Sequence, residues 1–398
     1  IIGSGRRGCA NFGQDSSFAG NKTAQGNQDS NDIGDFYYTP PTGYLALCTS
    51  NLPDVAVVPS EHFNTVLYTG NASTNAITGV GFQSNFVWMK NREIAASHGL
   101  YDSVRGTGTA KSLKSDSTAA EGNASTNMNL VSFDSDGFTL GATSGTNQIN
   151  YENDGHVAWN WKAPTSFSND ASATGIGDID SSGKVNVDAG FSIITMTNTG
   201  GDDRVAHGLS KAPELVIVKE RGGVGSWYVQ TTVIDGSLDY LLLESTAAKG
   251  NLGYGAPTAT TFASMQIGVG SGQVAYCFHS VDGYSKVGSY TGNGSLDGTF
   301  IYTGFRPAYV LVRRTDGSAD WLVWDNARDT YNPALLWLEP NTTDAETAQS
   351  SAPYELKMDF VSNGFKLRGQ GGGLNSSSGA TYIYLAFAET PFKYSNAR

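Results

Sequence analysis

Along the whole chain the apolar residues come in short runs broken by Gly, Asn, Asp and Ser, and no long stretch carries the apolar spacing of an amphipathic helix. In NFVWMKNR (Asn85 to Arg92) the apolar residues are continuous and stop at charges, the pattern of a strand covered on both faces. SDGF (Ser135 to Phe138) and SNGF (Ser362 to Phe365) place Asp-Gly and Asn-Gly turn signals directly before the Phe that starts the next strand. The pattern predicts an all-β chain of short antiparallel strands.

The runs recur in the same order three times. The clearest copy, Lys286 to Arg398, holds KVGSYTGNG, GFRPAYVLVRR (Gly304 to Arg314), WLVWDNARD (Trp321 to Asp329), SNGFKL and TYIYLAFAETPF (Thr381 to Phe392). Upstream stand LYTGN (Leu67 to Asn71), VGFQSNFVWMKNR, LYDSVRG (Leu100 to Gly106), SDGFTL and GHVAWNWKAP (Gly155 to Pro164). The middle copy is worn: ITMTNTGG (Ile194 to Gly201), HGLSKAPELVIVKER (His207 to Arg221), SWYV (Ser226 to Val229), FASMQI (Phe262 to Ile267) where the other copies have the Gly-Phe turn, and GQVAYCF (Gly272 to Phe278). Tyr68 to Lys90, Met196 to Lys219 and Tyr290 to Arg313 span 22, 23 and 23 positions, and the closing runs align on Ala158, Ala275 and Ala386. A period this long indicates tandem domains, not a solenoid of short repeats. The expected architecture is three β-sandwiches at 56–164, 165–283 (a linker hairpin and the divergent copy) and 284–398, after a separate segment 1–55. Gly106 to Asn127, rich in Ser, Thr, Ala and Gly, reads as a long surface excursion, and the lack of a linker near Gly283 implies rigid packing of the last two units.

Composition supports the same class. The 398 residues exceed one ordinary core, and 49 glycines with 19 tyrosines and 18 phenylalanines suit pleated faces joined by tight turns. A formal charge of −12 works against nucleic acid and anionic membranes, which need Lys and Arg to meet phosphate. Cys9, Cys48 and Cys277 have no metal spacing and read as free thiols, and no apolar run reaches the length of a membrane span. The start at Ile-Ile suggests part of a longer polypeptide.

Little catalytic chemistry is legible. His62, His98, His156, His207 and His279 are scattered, and His156 and His279 read as structural. Asp178, Asp180 and Ser182 begin like a calcium loop, but Ala189 stands where a bidentate Glu is required, so a hairpin is the stronger reading. Asp102-x-x-Arg105 and Asp325-x-x-Arg328 recur at matching places, as capped and paired strand ends would. The Asn-x-Ser/Thr triplets at Asn21, Asn71, Asn123, Asn293, Asn341 and Asn375 mark polar loops. No catalytic residue, metal ligand or cofactor is assigned, and the chain is expected not to be an enzyme.

Two resemblances add a biological expectation. CANFGQDSSF (Cys9 to Phe18) with YTPPTGYLAL (Tyr38 to Leu47) resembles the end of a SPRY domain as found in virion proteins of tailed bacteriophages, which implies the final strands of a β-sandwich. YTGNG, GFRPAYVLVRR, YNPALLWLEPNTTDAE (Tyr331 to Glu346), NGFKL and AFAETPFKYSNAR (Ala386 to Arg398) resemble the C-terminal modules of tail-fibre-like proteins of marine and cyanobacterial phages. The resemblance implies lectin-like, jelly-roll sandwiches in a virion structural protein made in host cytoplasm. Its implied partners are other virion proteins, copies of itself in a trimer, and a host-surface glycan. Attachment to the host is the expected role, with the C-terminal unit farthest out; capsid or tail decoration, or a spacer, is the alternative, and a polysaccharide depolymerase ranks behind both. The candidate binding loop holds Tyr331, Trp337 and Asn341, with Trp337 either a sugar platform or a core residue of the strand LLWL.

Overall fold

The computed structural model describes residues 15–46, 48, 51, 57–122, 127–143, 148–200, 202–348, 356–376 and 379–389. Cys9, Pro53, Asn123 and the terminal run after Glu389 lie outside them. The described chain is all-β, built from antiparallel sheets with two four-residue helices, Ala171–Thr174 and Gly372–Asn375.

The same strand order occurs three times. In the first module the opening strand Phe63–Thr69 pairs with the closing strand Gly155–Trp161, which pairs with the middle strand Phe86–Asn91, which pairs with a seam strand Gly99–Asp102. The second module repeats this with Phe191–Thr197, Gly272–Phe278, Leu215–Glu220 and Trp227–Thr231, and the third with Ser285–Thr291, Thr381–Ala388, Pro307–Arg314 and Leu322–Asp325. Facing each sheet is a smaller one: Asn75–Ile77, Gly137–Leu140 and Leu130–Asp134; Arg204–Ala206 and Thr261–Ala263; Phe300–Tyr302, Gly364–Leu367 and Met358–Val361. Each pair of sheets closes on an apolar layer of its own, with Phe138, Phe262 and Phe365 at matching places in it. The FASMQI segment therefore keeps the buried Phe although it lacks the Gly turn.

Register corrects one alignment. Ala158 lies between Val66 and Met89, and Ala275 between Ile194 and Val218, but the residue between Gly288 and Val312 is Tyr384. Ala386 sits two positions further on, opposite Val310. A shift of two keeps a side chain on the same face of a strand, so a small apolar residue at either position preserves the sequence pattern.

The three modules do not string out in series. Their large sheets turn their other faces to one shared core, in which Trp161, Phe278 and Phe387 occupy equivalent positions with ring centroids 5.7, 6.1 and 6.4 Å apart. Around this core, equivalent backbone groups bridge the seams: Ala96 N–H donates to Thr343 O, Gly225 N–H to Thr118 O, and Ala319 N–H to Thr246 O. In return Glu346, Glu121 and Lys249 donate their N–H groups to the carbonyls of Arg92, Arg221 and Thr315. The buried cations Lys90, Lys219 and Arg313 each donate to the backbone of a neighbouring module, at Thr343, Thr118 and Ala247. Burial lowers Lys90 and Lys219 to about 8 and Arg313 to about 10. First bonds to third, second to first and third to second, so the contacts close into a pseudo-threefold ring, and no module lies farthest out along a line.

The ring revises the Gly106–Asn127 reading. Leu113 pairs with Leu100 and is buried, as is Ser115, whose hydroxyl donates to Pro340 O at 2.7 Å. Lys114 and Ser117 present carbonyls to the Trp227 indole at 2.8 and 3.2 Å. The small polar residues there let the backbone run in the seam and meet the next module's donors.

Residues Ile1–Val55 belong to a separate compact unit. Among its described residues there is a bridge between Asn27 and Phe36 but no strand, where the resemblance implied final strands. Carboxylates hold it instead: Asp35 takes the Ser16 N–H at 3.0 Å, and Asp29 takes the N–H groups of Asn31, Ile33 and Ala46.

Candidate functional site

In a chain that repeats its structural parts, a surface feature present in one copy and missing from the others stands out. The motif residues that recur are structural. Tyr68 and Tyr290 donate to the carbonyls of Ile149 and Leu374 at 2.6 and 2.9 Å, and the buried amides of Asn150 and Asn375 clamp Asn71 and Asn293 in the Tyr-Thr-Gly-Asn turns. Asp102 caps Val104 and Arg105 and binds the Arg105 guanidinium at 2.5 Å; Asp325 does the same for Ala327 and Arg328, at 2.6 Å. Both pairs are fully buried, out of reach of a ligand.

The exposed departure lies on the outer sheet of the third module. In Phe300–Tyr302 the side chain of Ile301 points into the core, while Phe300 and Tyr302 point outward, 44% and 66% exposed. Pairing through Ile301–Phe365, Ile77–Phe138 and Val205–Phe262 makes Ala76 and Thr78 the counterparts of this pair in the first module, and Arg204 and Ala206 in the second. At these strand positions two outward aromatic rings therefore occur in the third module and in neither of the others.

The surroundings suit a ligand. Tyr302 stands opposite Gly364, where an added Cβ would strike Ile301 O and meet the Phe300 ring at 3.1 Å, so the glycine makes room for that ring. Leu367 N–H donates to Thr299 O and Thr303 N–H to Asn363 O, which fixes the alternation of the ladder. By that alternation the N–H and C=O groups of Phe300 and Tyr302 point off the open edge of the sheet. Next to Phe300, Lys366 reaches Asp297 at 2.8 Å, and Arg368 binds Asp359 at 2.5 Å. The hydrogen bond from Lys366 holds the Asp297 carboxyl below its ordinary range. Aromatic faces, edge-facing backbone groups and charge-balanced polar groups can bind a neutral polyhydroxy ligand by stacking and hydrogen bonding.

Tyr331, Trp337 and Asn341 do not form one platform. Tyr331 is exposed, held beside the outer strand of this same sheet by Asn332, whose amide exchanges two hydrogen bonds with the Phe360 backbone at 2.8 and 2.9 Å. Trp337 is 3% exposed, in the short strand Leu336–Trp337 against Trp324. Asn341 accepts the Trp321 N–H and donates to Asp320, within the fold. The signal for Phe300 and Tyr302 was available in the sequence as the alternation Phe-Ile-Tyr set against Ala-Ile-Thr and Arg-Val-Ala; aligning the copies strand by strand exposes it.

The remaining candidates are accounted for locally. His156 stacks on Tyr68 and meets Asp154 O at 3.0 Å, with burial lowering it to about 4. His98 lies between the Trp88 indole and Glu339 O. His62 accepts from the Asn186 amide, and the rings of His207 and His279 meet the carbonyls of Thr258 and Ser280. Asp178 takes the Arg204 N–H and Asp180 the Ala171 N–H, so their oxygens do not converge as a calcium loop's would. Cys48 and Cys277 are free thiols, half-buried and buried. Among the described residues no three His, Cys, Asp or Glu side chains are grouped to hold a metal, and no helix is long and apolar enough to cross a membrane.

Residues 58–391 match the family Domain of unknown function (DUF7483), and the chain belongs to that family. No curated protein and no solved structure matches it.

Proposed function

We propose that this member of the DUF7483 family is a non-catalytic attachment protein of a phage particle, tail-fibre-like, that holds a host-surface glycan on the Phe300–Tyr302 platform. The observation that carries the reading is the aromatic pair itself: two large exposed rings on one face, where the equivalent positions of the first two modules are filled by Ala76 and Thr78, and by Arg204 and Ala206. A structural need common to the fold would have kept the pair in all three. The phage setting rests on the resemblance of YTGNG, GFRPAYVLVRR and NGFKL to tail-fibre modules.

One feature weighs against the spacer alternative. The strand that enters the ring and the strand that leaves it stack ring on ring, Phe63 on Phe387 at 4.7 Å. A unit entered and left at one point adds little length to a fibre, whereas it presents its outer sheets well. Weak binding at one platform would suffice for adhesion where several copies are displayed. Purified protein should coat host cells and compete with phage adsorption, and Phe300→Ala/Tyr302→Ala should weaken both about tenfold. Protein that neither coats cells nor competes leaves decoration without receptor binding as the function.

A further inference from the structure

A second departure from the threefold pattern lies in the middle module. There the strands Thr165–Asn169 and Ser181–Asn186 form a hairpin that pairs along the opening strand Phe191–Thr197, a position that no strand among the described residues fills in the first and third modules. Gly183 permits the close approach, because an added Cβ would meet Ile193 O. At one end of this added layer is an open cleft of about 390 Å³, within the ~300–1,000 Å³ of small-molecule sites.

Its lining is polar. Ser168, Ser182 and Thr195 are mutually paired across three adjacent strands, which puts three hydroxyls on one face, with Ser182 Oγ 3.3 Å from Thr195 Oγ1. Asp170 and Asp180 stand at the hairpin end of the cleft, and each uses Oδ1 to cap the short helix, on Ala173 N–H and Ala171 N–H. Their Oδ2 atoms have no hydrogen-bond partner among the described residues. On the other side Arg221 spends Nε on Glu121 Oε2 at 2.8 Å, which leaves its terminal nitrogens as donors without a partner among the described residues. Carboxylate acceptors, a row of hydroxyls and a guanidinium donor complement vicinal diols, whose hydroxyls donate and accept together. Two carboxylates against one cation already paired with Glu121 disfavour an anionic ligand.

We infer that this cleft is a separate binding site for a neutral monosaccharide unit, formed by the hairpin and chemically distinct from the aromatic platform. The inference does not rest on the platform, and the test separates the two. Saturation-transfer NMR on the intact chain carrying Phe300→Ala/Tyr302→Ala, with D-glucose, D-galactose and D-mannose as probes and D-glucuronate as the anionic comparison, reads the cleft alone. At least one neutral hexose should retain saturation transfer. Adding Ser182→Trp, which fills the cleft from an exposed strand position, or Thr195→Val, which removes a hydroxyl and keeps the strand, should then cut the signal at least threefold. Loss of all hexose transfer on removing the platform overturns the inference, as does transfer that both cleft variants leave unchanged or a response to glucuronate alone.

Discussion

Replacing Phe387 by Ala tests the shared core most directly. The ring is 1% exposed and contacts Phe63, Trp161, Tyr309, Phe278 and Tyr284, which places all three modules around one side chain. Truncating a fully buried Phe costs about 3–5 kcal/mol through lost burial and the cavity left behind. For a unit spanning Ala56–Pro391, an unfolding entropy of ~2 cal/mol/K per residue gives about 0.7 kcal/mol/K, so Tm should fall by roughly 6 °C. Differential calorimetry should show the main transition moving as a whole, with no part left at the wild-type temperature. Trp161→Ala should do the same, and the two together should depart from additivity by about 0.5–3 kcal/mol because the rings touch. A trace that splits, with one transition shifted and the rest unmoved, would refute the common core and restore three independent domains.

At the seams, Glu346→Ala strips a partner from the fully buried Arg328 and from Arg92, and should cost about 2–3 kcal/mol in urea titrations; Lys249→Ala, at the equivalent place, strips a partner from the buried Asp239 carboxylate as well as from the exposed Asp235 and should cost about 1–2 kcal/mol, less because the Lys249 end is partly exposed. Burial lowers His156 and His207 to about 4 from an ordinary 6.5, so the unfolded chain takes up protons that the native one refuses. Their contribution should be whole above pH 6.5 and fade as pH falls towards 4, and His207→Gln should flatten the Tm profile over that window; a steeper profile would contradict the assignment. Burial pushes the Cys277 thiol up to about 12, so iodoacetamide should label Cys48 and spare Cys277 in the native protein, as read by peptide mass; equal labelling would place Cys277 near solvent.

The strands and their order were legible because the modules repeat a local code: continuous apolar runs ending in charge and, in the first and third, Gly-Phe turns. Lys90, Lys219 and Arg313 could be matched from sequence, yet their task of reaching a neighbour's carbonyls could not, since it depends on how modules face one another. The central core was hidden for a related reason. Trp161, Phe278 and Phe387 look like ordinary inward residues of separate sandwiches, and a strand buried on both faces does not reveal whether its second face meets its own module or another. In the candidate loop the core reading of Trp337 on the strand LLWL was the stronger one from sequence, and its burial against Trp324 bears that reading out and removes it from the platform. Phe300 and Tyr302 needed the copies compared position by position in the most variable strand.

The meeting of Phe63 with Phe387 has a mechanical consequence. Tension pulling on the two ends of the ring is applied across a few ångströms, at the junction of the first and third modules. The load falls on that junction, which includes the bond from the Trp159 indole to Asp325 and, from the second module, the Asn186 amide on His62 and the Phe278 ring against Phe387. Because stacked rings and hydrogen bonds from several strands share the load at one junction, the ring should act as a clasp: stiff under small forces, then opening abruptly and releasing a long stretch of chain.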